Sequence, residues 1–225
     1  MEQFVNCLWV VNVNNYFPEM TALTLPNLKS YADKIGAEFR QITERKWSDF
    51  PCPYEKMQIW ELGQSYDWNI LVDADSLIHP DMFDITTFGS PDHVHFHAGY
   101  DVRDRFAPDE YFLRDGRFTG VTTNLVAVHR MCHDVWMPLE FGADIAKTKT
   151  ARWHIIDEYC FSRNLARFGL KFSGLLTSEQ QHLFAHLGYA DESDEAHQQA
   201  VARAKQLVED WNTNGNTVTS DNSSM

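Results

Sequence analysis

The sequence has few cysteines, few basic residues and no long apolar run, and each shortage excludes a class of protein. Its 225 residues include four cysteines, which form no CxxC pair, so we expect reduced core thiols and not a structural zinc site. Only 19 Lys and Arg oppose 32 Asp and Glu, for a net charge of −13. This acidity disfavours nucleic acid or an anionic membrane surface as partner. No apolar run approaches the ~20 residues that cross a bilayer.

The amino-terminal stretch also lacks a basic region, since Glu2 precedes its apolar residues. It therefore predicts a first strand and not a signal peptide, and with the scattered cysteines it favours a cytoplasmic protein. What the chain does have is a globular composition, 44% hydrophobic and 13% aromatic. Its length suits one domain with a sizeable core.

Apolar periodicity predicts alternating strands and helices over the first third of the chain. The predicted strands are 4–13, 37–43 and 68–78, and the predicted helices are 20–36 and 54–66. Pro26 either kinks the first of these helices or marks its start. The alternation is typical of parallel βαβ units, so we expect an α/β fold with a mainly parallel central sheet flanked by helices. Active sites of such sheets lie at the carboxyl ends of the strands.

Further strands and helices follow in the second part of the chain. Strands are predicted at 93–100, 119–130 and 170–175, and helices at 131–146, 154–169 and 192–211. Residues 212–225 are polar and aperiodic, which predicts a disordered tail after a single domain at 1–211.

Two carboxylates stand at the end of the third predicted strand, in the stretch WNILVDADSLIHPD. Asp73 and Asp75 are two positions apart, so in a strand they project from the same face. Convergent carboxylates repel unless a positive charge lies between them. The pattern therefore favours a divalent metal site, and the alternative is a solvated acidic loop.

The DxD motif at the end of the third predicted strand, together with the βαβ units before it, resembles the GT-A glycosyltransferases. These form a superfamily of nucleotide-diphospho-sugar transferases. The resemblance also rests on TTNLVAVHR (122–130), IIDEYCF (155–161) and HLFAHLGY (182–189), and it extends from the first strand to about Tyr189. It implies a single GT-A (Rossmann-like) domain. It further implies transfer of a sugar from a UDP- or GDP-linked donor to an acceptor hydroxyl of a glycan or other glycoconjugate.

For the metal, the resemblance implies Mn²⁺ or Mg²⁺ bound to the donor diphosphate. Asp75 would be a direct ligand, and Asp73 would bridge to the metal or to the ribose. His186 would complete the site, because Gly188 lets the backbone approach closely there. His182 is the alternative, since it shares a face with His186 if this segment is helical.

For the donor, the resemblance implies contacts from the end of the first strand and from the second predicted helix. Asn12 and Asn14 would bind the base edge through their amides. Tyr16 would stack on the base, unless it only packs against the helix that follows. Lys56 would reach the phosphates or the sugar, unless it is a solvated lysine.

For the transferred sugar and the acceptor, the resemblance points to two later motifs. Thr123 and Asn124 would recognise sugar hydroxyls, although a Thr pair also suits a purely structural strand. Asp157 or Glu158 would act as general base on the acceptor, or would position the substrates. Acids at a helix start are also common because of the helix dipole alone.

The main alternative is a haloacid-dehalogenase-type phosphatase, whose nucleophile and acid/base also form a DxD after an apolar strand. Here Asp73 and Asp75 would have those two roles. That motif normally lies on the first strand, whereas two βα units precede it here. The sequence also has no downstream paired-acid motif to hold Mg²⁺.

Overall fold

The structure is a computed structural model and describes residues 5–188 and 193–215. The strands are β1 (Cys7–Val11), β2 (Glu38–Ile42), β3 (Trp68–Val72), β4 (Ser76–Ile78), β5 (His93–Phe96), β6 (Gly99–Asp101), β7 (Thr119–Val121), β8 (Leu125–His129), β9 (Lys171–Gly174) and β10 (Phe184–His186). The α-helices are α1 (Pro18–Lys34), α2 (Ile59–Leu62), α3 (Ile85–Phe88), α4 (Glu110–Asp115), α5 (Ala143–Ala146), α6 (Ile156–Arg167) and α7 (Asp194–Gly215). Short 3₁₀ segments include Cys52–Gln58, Arg130–Trp136 and Ser178–Leu183.

Six strands form the central sheet, in the order β2-β1-β3-β8-β5-β9. The pairs β1–β2, β1–β3 and β5–β9 are parallel, whereas β8 is antiparallel to both of its neighbours. Five of the six strands therefore point the same way. The predicted α/β fold with a mainly parallel sheet flanked by helices is confirmed.

Both faces of this sheet are covered, which explains why its inner strands are apolar without interruption. Side chains alternate between the faces along each strand. On β1, Cys7 and Trp9 join the core on the side of α6, while Leu8 and Val10 join the core on the side of α1. The same alternation holds along β3 and β8.

The structure divides the predicted strand 68–78 into two separate strands, β3 and β4. β3 ends at Val72, and the chain turns at 73–75, where the Ser76 amide donates to the Asp73 carbonyl at 3.1 Å. β4 then leaves the central sheet and pairs with β10. The two acids therefore lie in a turn between strands and not within one strand.

Other predicted elements break or shift for local reasons. The predicted helix 54–66 is a 3₁₀ segment followed by α2, and 131–146 is a 3₁₀ segment followed, after an irregular stretch, by α5. The predicted strands 93–100 and 119–130 each divide in two, because β6 and β7 pair with each other outside the central sheet.

The first and the last predicted helices also differ from the structure. Pro26 lies inside α1 and neither begins nor ends it. Core packing of the following turns, through Leu28, Tyr31 and Ala32, offsets the lost backbone hydrogen bond. α7 continues to Gly215, so residues 212–215 of the predicted tail are helical, and 216–225 lie outside the described residues. Among the helices of the described ranges, none is both long and apolar enough to span a bilayer.

Candidate active site

The turn after β3 is held at the carboxyl edge of the sheet by its neighbours. The Asp73 amide donates to the carbonyl of Asn124, just before β8, at 2.9 Å. In the β4–β10 ribbon His186 lies opposite Ser76, and the Leu187 amide donates to the Asp75 carbonyl at 2.9 Å. This register brings a histidine from late in the chain to the two acids.

Asp73, Asp75 and His186 form a cluster with one potential metal-ligand atom each, all within 4.8 Å of one another. His186 Nε2 lies 3.3 Å from Asp75 Oδ1 and 3.5 Å from Asp73 Oδ2. Burial lowers the pKa of His186, but hydrogen bonds and the charges of the two acids outweigh burial and raise this pKa to about 10. Because ligands of one divalent ion lie ~2.0–2.6 Å from it, three atoms this close together fit around a single ion.

Gly188 lies against this cluster with no room for a side chain. A Cβ at Gly188 would lie 2.6 Å from Cε1 of His186 and 3.3 Å from Oδ2 of Asp75. His182 takes a different position, at the end of a 3₁₀ segment, where Nδ1 lies 2.8 Å from the Glu179 carbonyl. The helical turn ends at Leu183 and His186 lies in β10, so the expectation of a shared helical face for the two histidines is wrong.

Lys56 connects the turn to α6. Its Nζ lies 2.7 Å from Asp73 Oδ1 and 2.8 Å from Asp157 Oδ2. Nζ also donates to Thr123 Oγ1 at 3.0 Å, and that hydroxyl donates to Asp157 Oδ2 at 2.6 Å. Lys56 is only 5% exposed, so it is a buried ion-pair partner and not a solvated lysine.

Charge in this network shifts two pKa values. Burial lowers the pKa of Lys56, but Asp157 and then Asp73 outweigh it and hold this pKa above the usual range. Burial raises the pKa of Asp73, but Lys56 and His186 outweigh it and hold this pKa at about 2. Both groups are therefore charged at neutral pH.

Glu158 has different surroundings from its neighbour Asp157. Its Oε2 lies 2.8 Å from Arg105 Nη1, and its side chain is 14% exposed. Burial and then the charge of Asp157 raise the pKa of Glu158 to about 7, against the opposing effects of Lys56 and Arg105. Arg105 itself is stacked on Tyr100, with its guanidinium carbon 3.8 Å from the ring centroid.

An open cleft lies beside the cluster at the ends of β1 and β3. Its empty volume is about 580 Å³ with the open solvent at its mouth included, and it is lined by Val11, Val13, Tyr16, Cys52, Pro53, Lys56, Asp73, Ala74 and Asp75. The Tyr16 hydroxyl donates to Asp75 Oδ2 at 3.5 Å.

Asn12 Nδ2 donates to Gln41 Oε1 at 3.1 Å, and Asn14 adopts a positive φ of 58° in the exposed loop after β1. Asn124 Oδ1 accepts from the Thr122 hydroxyl at 3.0 Å.

The structure thus brings Tyr16, Lys56, Asp73 and Asp75 together around one cleft, with Asp157 beneath Lys56. Sequence reasoning missed Arg105, which lies in a charged loop with no motif around it, and the lining residues Cys52 and Pro53. The apolar lining residues Val11 and Val13 could have been predicted from the sequence, because they lie where the first predicted strand ends.

No known protein family matches the sequence, and no curated protein is detectably similar to it. Solved structures that share its fold include two glycosyltransferases. A glycosyltransferase involved in glycosylation of the major capsid of PBCV-1 has a TM-score of 0.52 and 14% identity, over 86% of this chain and 98% of that one. The WbbM bifunctional glycosyltransferase has a TM-score of 0.51 and 11% identity, over 93% of this chain and 52% of WbbM, so this chain spans about half of WbbM. The chain therefore shares the fold of these two glycosyltransferases, which is consistent with the resemblance of its sequence.

Proposed function

We propose that this chain is a metal-dependent glycosyltransferase that moves a sugar from a nucleoside-diphosphate-sugar donor to a hydroxyl of a glycan or other glycoconjugate. The observation that carries the proposal is the convergence of Asp73, Asp75 and His186 at the carboxyl edge of the sheet. In open α/β sheets this edge is where ligands bind. The shared glycosyltransferase fold supports the same reaction class.

The cluster suits Mn²⁺ or Mg²⁺, because hard carboxylate oxygens and one imidazole match the ligand preference of such ions. A divalent ion bound there would neutralise the charge that develops on the departing diphosphate. Asp73 Oδ1 is occupied by Lys56, so Asp73 offers its other oxygen to the ion.

The donor would lie in the cleft between β1 and the acidic turn. Tyr16 lines this cleft and offers its ring to a base. Asn12 and Asn14 provide amides at the end of β1 for the base edge. Lys56 adds positive charge on the side of the phosphates, and both UDP and GDP fit this set of contacts.

The sugar and the acceptor would lie toward β8 and α6. Thr123 and Asn124 lie just before β8 for contacts to the sugar, although the Thr123 hydroxyl donates to Asp157. Asp157 and Glu158 supply the carboxylates in the first turn of α6. A group with a pKa near the working pH is best suited to accept the proton of an acceptor hydroxyl, and the Glu158 pKa of about 7 meets this condition.

Thermal unfolding with UDP, GDP, CMP, dTDP and their sugar conjugates, each with Mn²⁺ and with EDTA, tests the proposal. A ligand at about 100 times its Kd adds ~2.7 kcal/mol of stability. In a chain of this size that raises Tm by about 5–10 °C. We expect a shift with one nucleotide family that disappears in EDTA.

The opposite outcome has a clear meaning. No shift with any nucleotide, together with phosphate-ester hydrolysis that is lost in Asp73→Asn, would contradict the proposal and favour the phosphatase.

A further inference from the structure

Asp157 and Glu158 are adjacent in α6, yet their carboxylates belong to two separate groups of side chains. Asp157 is 2% exposed, and its Oδ2 accepts from Lys56 and from Thr123. Glu158 pairs instead with Arg105. Only the first of these groups reaches the metal-ligand cluster, because Lys56 also contacts Asp73.

The ammonium group of Lys56 is fully engaged by protein atoms. It has three protons, and its Nζ lies 2.7 Å from Asp73 Oδ1, 2.8 Å from Asp157 Oδ2 and 3.0 Å from Thr123 Oγ1. Fixed between two acids in this way, Lys56 holds one oxygen of Asp73. The other oxygen, Oδ2, is the one that lies near His186.

The charges of this group also match a divalent ion. With His186 neutral, as a histidine bound to a metal must be, Lys56, Asp73, Asp75 and Asp157 would together carry −2, and each is at most partly exposed. Uncompensated charge in a buried site is costly. Without the charge of Asp157 the same group would carry −1, which a divalent ion would overcompensate.

We propose that Asp157 is a positioning residue of the metal site, which acts through Lys56 and Thr123 and does not touch the acceptor. It fixes Lys56 so that Asp73 presents Oδ2 beside Asp75 and His186, and it supplies the charge that balances a divalent ion. The inference rests on the proposed function, in particular on its metal site. It leaves Glu158 as the carboxylate of α6 for the acceptor.

Calorimetric titration of the nucleotide-free chain with Mn²⁺ tests this assignment. Asp157→Asn keeps the side-chain shape and removes the charge. We expect it to weaken Mn²⁺ binding by about 10–100-fold, the usual effect of removing a partner of a metal ligand. Glu158→Gln is the matched control, because it makes the same change from acid to amide one position along α6, and we expect its Mn²⁺ affinity within about twofold of the original.

Unchanged Mn²⁺ affinity in Asp157→Asn would overturn the inference. So would an equal loss in Asp157→Asn and Glu158→Gln, because that result would show a general effect of charge and not an action through Lys56.

A double variant separates positioning from a merely structural role. Lys56→Met removes the ammonium group through which Asp157 is proposed to act. We expect Asp157→Asn to weaken Mn²⁺ binding several-fold less in the Lys56→Met background than in the unmodified chain. An equal loss of Mn²⁺ affinity in both backgrounds would contradict an action through Lys56.

Two further results keep the test decisive. If Asp157→Asn does not fold, Thr123→Val removes only the hydroxyl that donates to Asp157, and a several-fold loss of Mn²⁺ affinity is then expected, with no loss counting against the inference. If the unmodified chain binds neither Mn²⁺ nor Mg²⁺, the proposed function fails as well. Retained Mn²⁺ binding in the unmodified chain with no effect of Asp157→Asn refutes the inference alone.

Discussion

Two buried cations lie along α6, and each is placed between two carboxylates. Lys56 lies between Asp73 and Asp157 near the start of the helix. Arg163, further along α6 and 3% exposed, lies between Asp109 and Glu140. Each cation thus has two acids beside it, although Arg167 adds a second cation at Glu140. Only the first group belongs to the proposed metal site.

The two groups differ in the hydrogen-bond partners of their carboxylate oxygens. Around Arg163, Asp109 accepts from the Tyr111 amide and from the Tyr159 hydroxyl, and both oxygens of Glu140 accept from Arg163. Around Lys56, Asp73 keeps one oxygen beside His186 and the cleft. A buried cation between acids is therefore structural where protein donors use every oxygen, and it supports a site where one oxygen is left for a ligand.

The largest expected effect is the loss of nucleotide binding in Asp75→Ala. Removal of a direct ligand should lower the Mn²⁺-dependent affinity for nucleotide by on the order of 10³-fold or more, beyond the 10–100-fold typical of partners that only support a ligand. The exposed acid Asp81 provides the control, as Asp81→Ala. Isothermal titration with UDP and GDP measures both, and unchanged affinity in Asp75→Ala would refute the metal assignment.

The second effect concerns the structural group. Arg163→Met leaves the buried Asp109 without its cation and should reduce the free energy of unfolding by about 3 kcal/mol, at the low end for a broken buried pair because Glu140 is half-exposed. Calorimetry should show Tm lower by about 6–12 °C. Mn²⁺ affinity of the folded variant should stay unchanged. A loss of Mn²⁺ affinity would remove the distinction between the two groups.

The third expected effect is on the turnover rate, and it distinguishes Glu158 from Asp157. Glu158→Gln should lower kcat by about 10²-fold with little change in donor affinity, as expected when a general base is removed. Because the Glu158 pKa of about 7 means ionisation near neutrality, activity of the unmodified chain should rise with pH through that value. The variant should lose this rise. Equal pH profiles for the two proteins would exclude Glu158 as the base.

The smallest effect serves as a reference for both groups. Lys29 and Asp33 form an exposed pair one turn apart on α1. Lys29→Met should change the free energy of unfolding by no more than about 0.5 kcal/mol. Urea denaturation measures this, and a loss comparable to that of Arg163→Met would show that burial is not what separates these ion pairs.

Sequence patterns predicted those features of the molecule that depend on neighbouring residues. Apolar strands that run to their carboxyl ends predicted the sheet edge, and the spacing of Asp73 and Asp75 predicted their convergence. The acids converge through a turn and not through a strand, because β4 leaves the sheet to pair with β10. Local pattern does not reveal such a partner, which lies more than 100 positions away.

The sequence could not distinguish the roles of individual charged residues. Lys56 has the same local signal as a solvated lysine, and its contacts with Asp73, Asp157 and Thr123 come from distant parts of the chain. Asp157 and Glu158 share one helical turn and one local pattern. Their difference comes from Thr123 and Arg105, which the fold brings from other segments.

The β4–β10 ribbon also sets the order in which the site can be assembled during synthesis. His186 follows Asp75 by about 110 positions, which a ribosome adds in on the order of 10 s. During that interval β4 has no partner strand, and the acidic turn has no imidazole. The cluster proposed to bind a divalent ion is therefore complete only when β10 has been translated and has closed this long loop. Binding of a metal ion at this cluster would thus report that the polypeptide has been synthesised through β10.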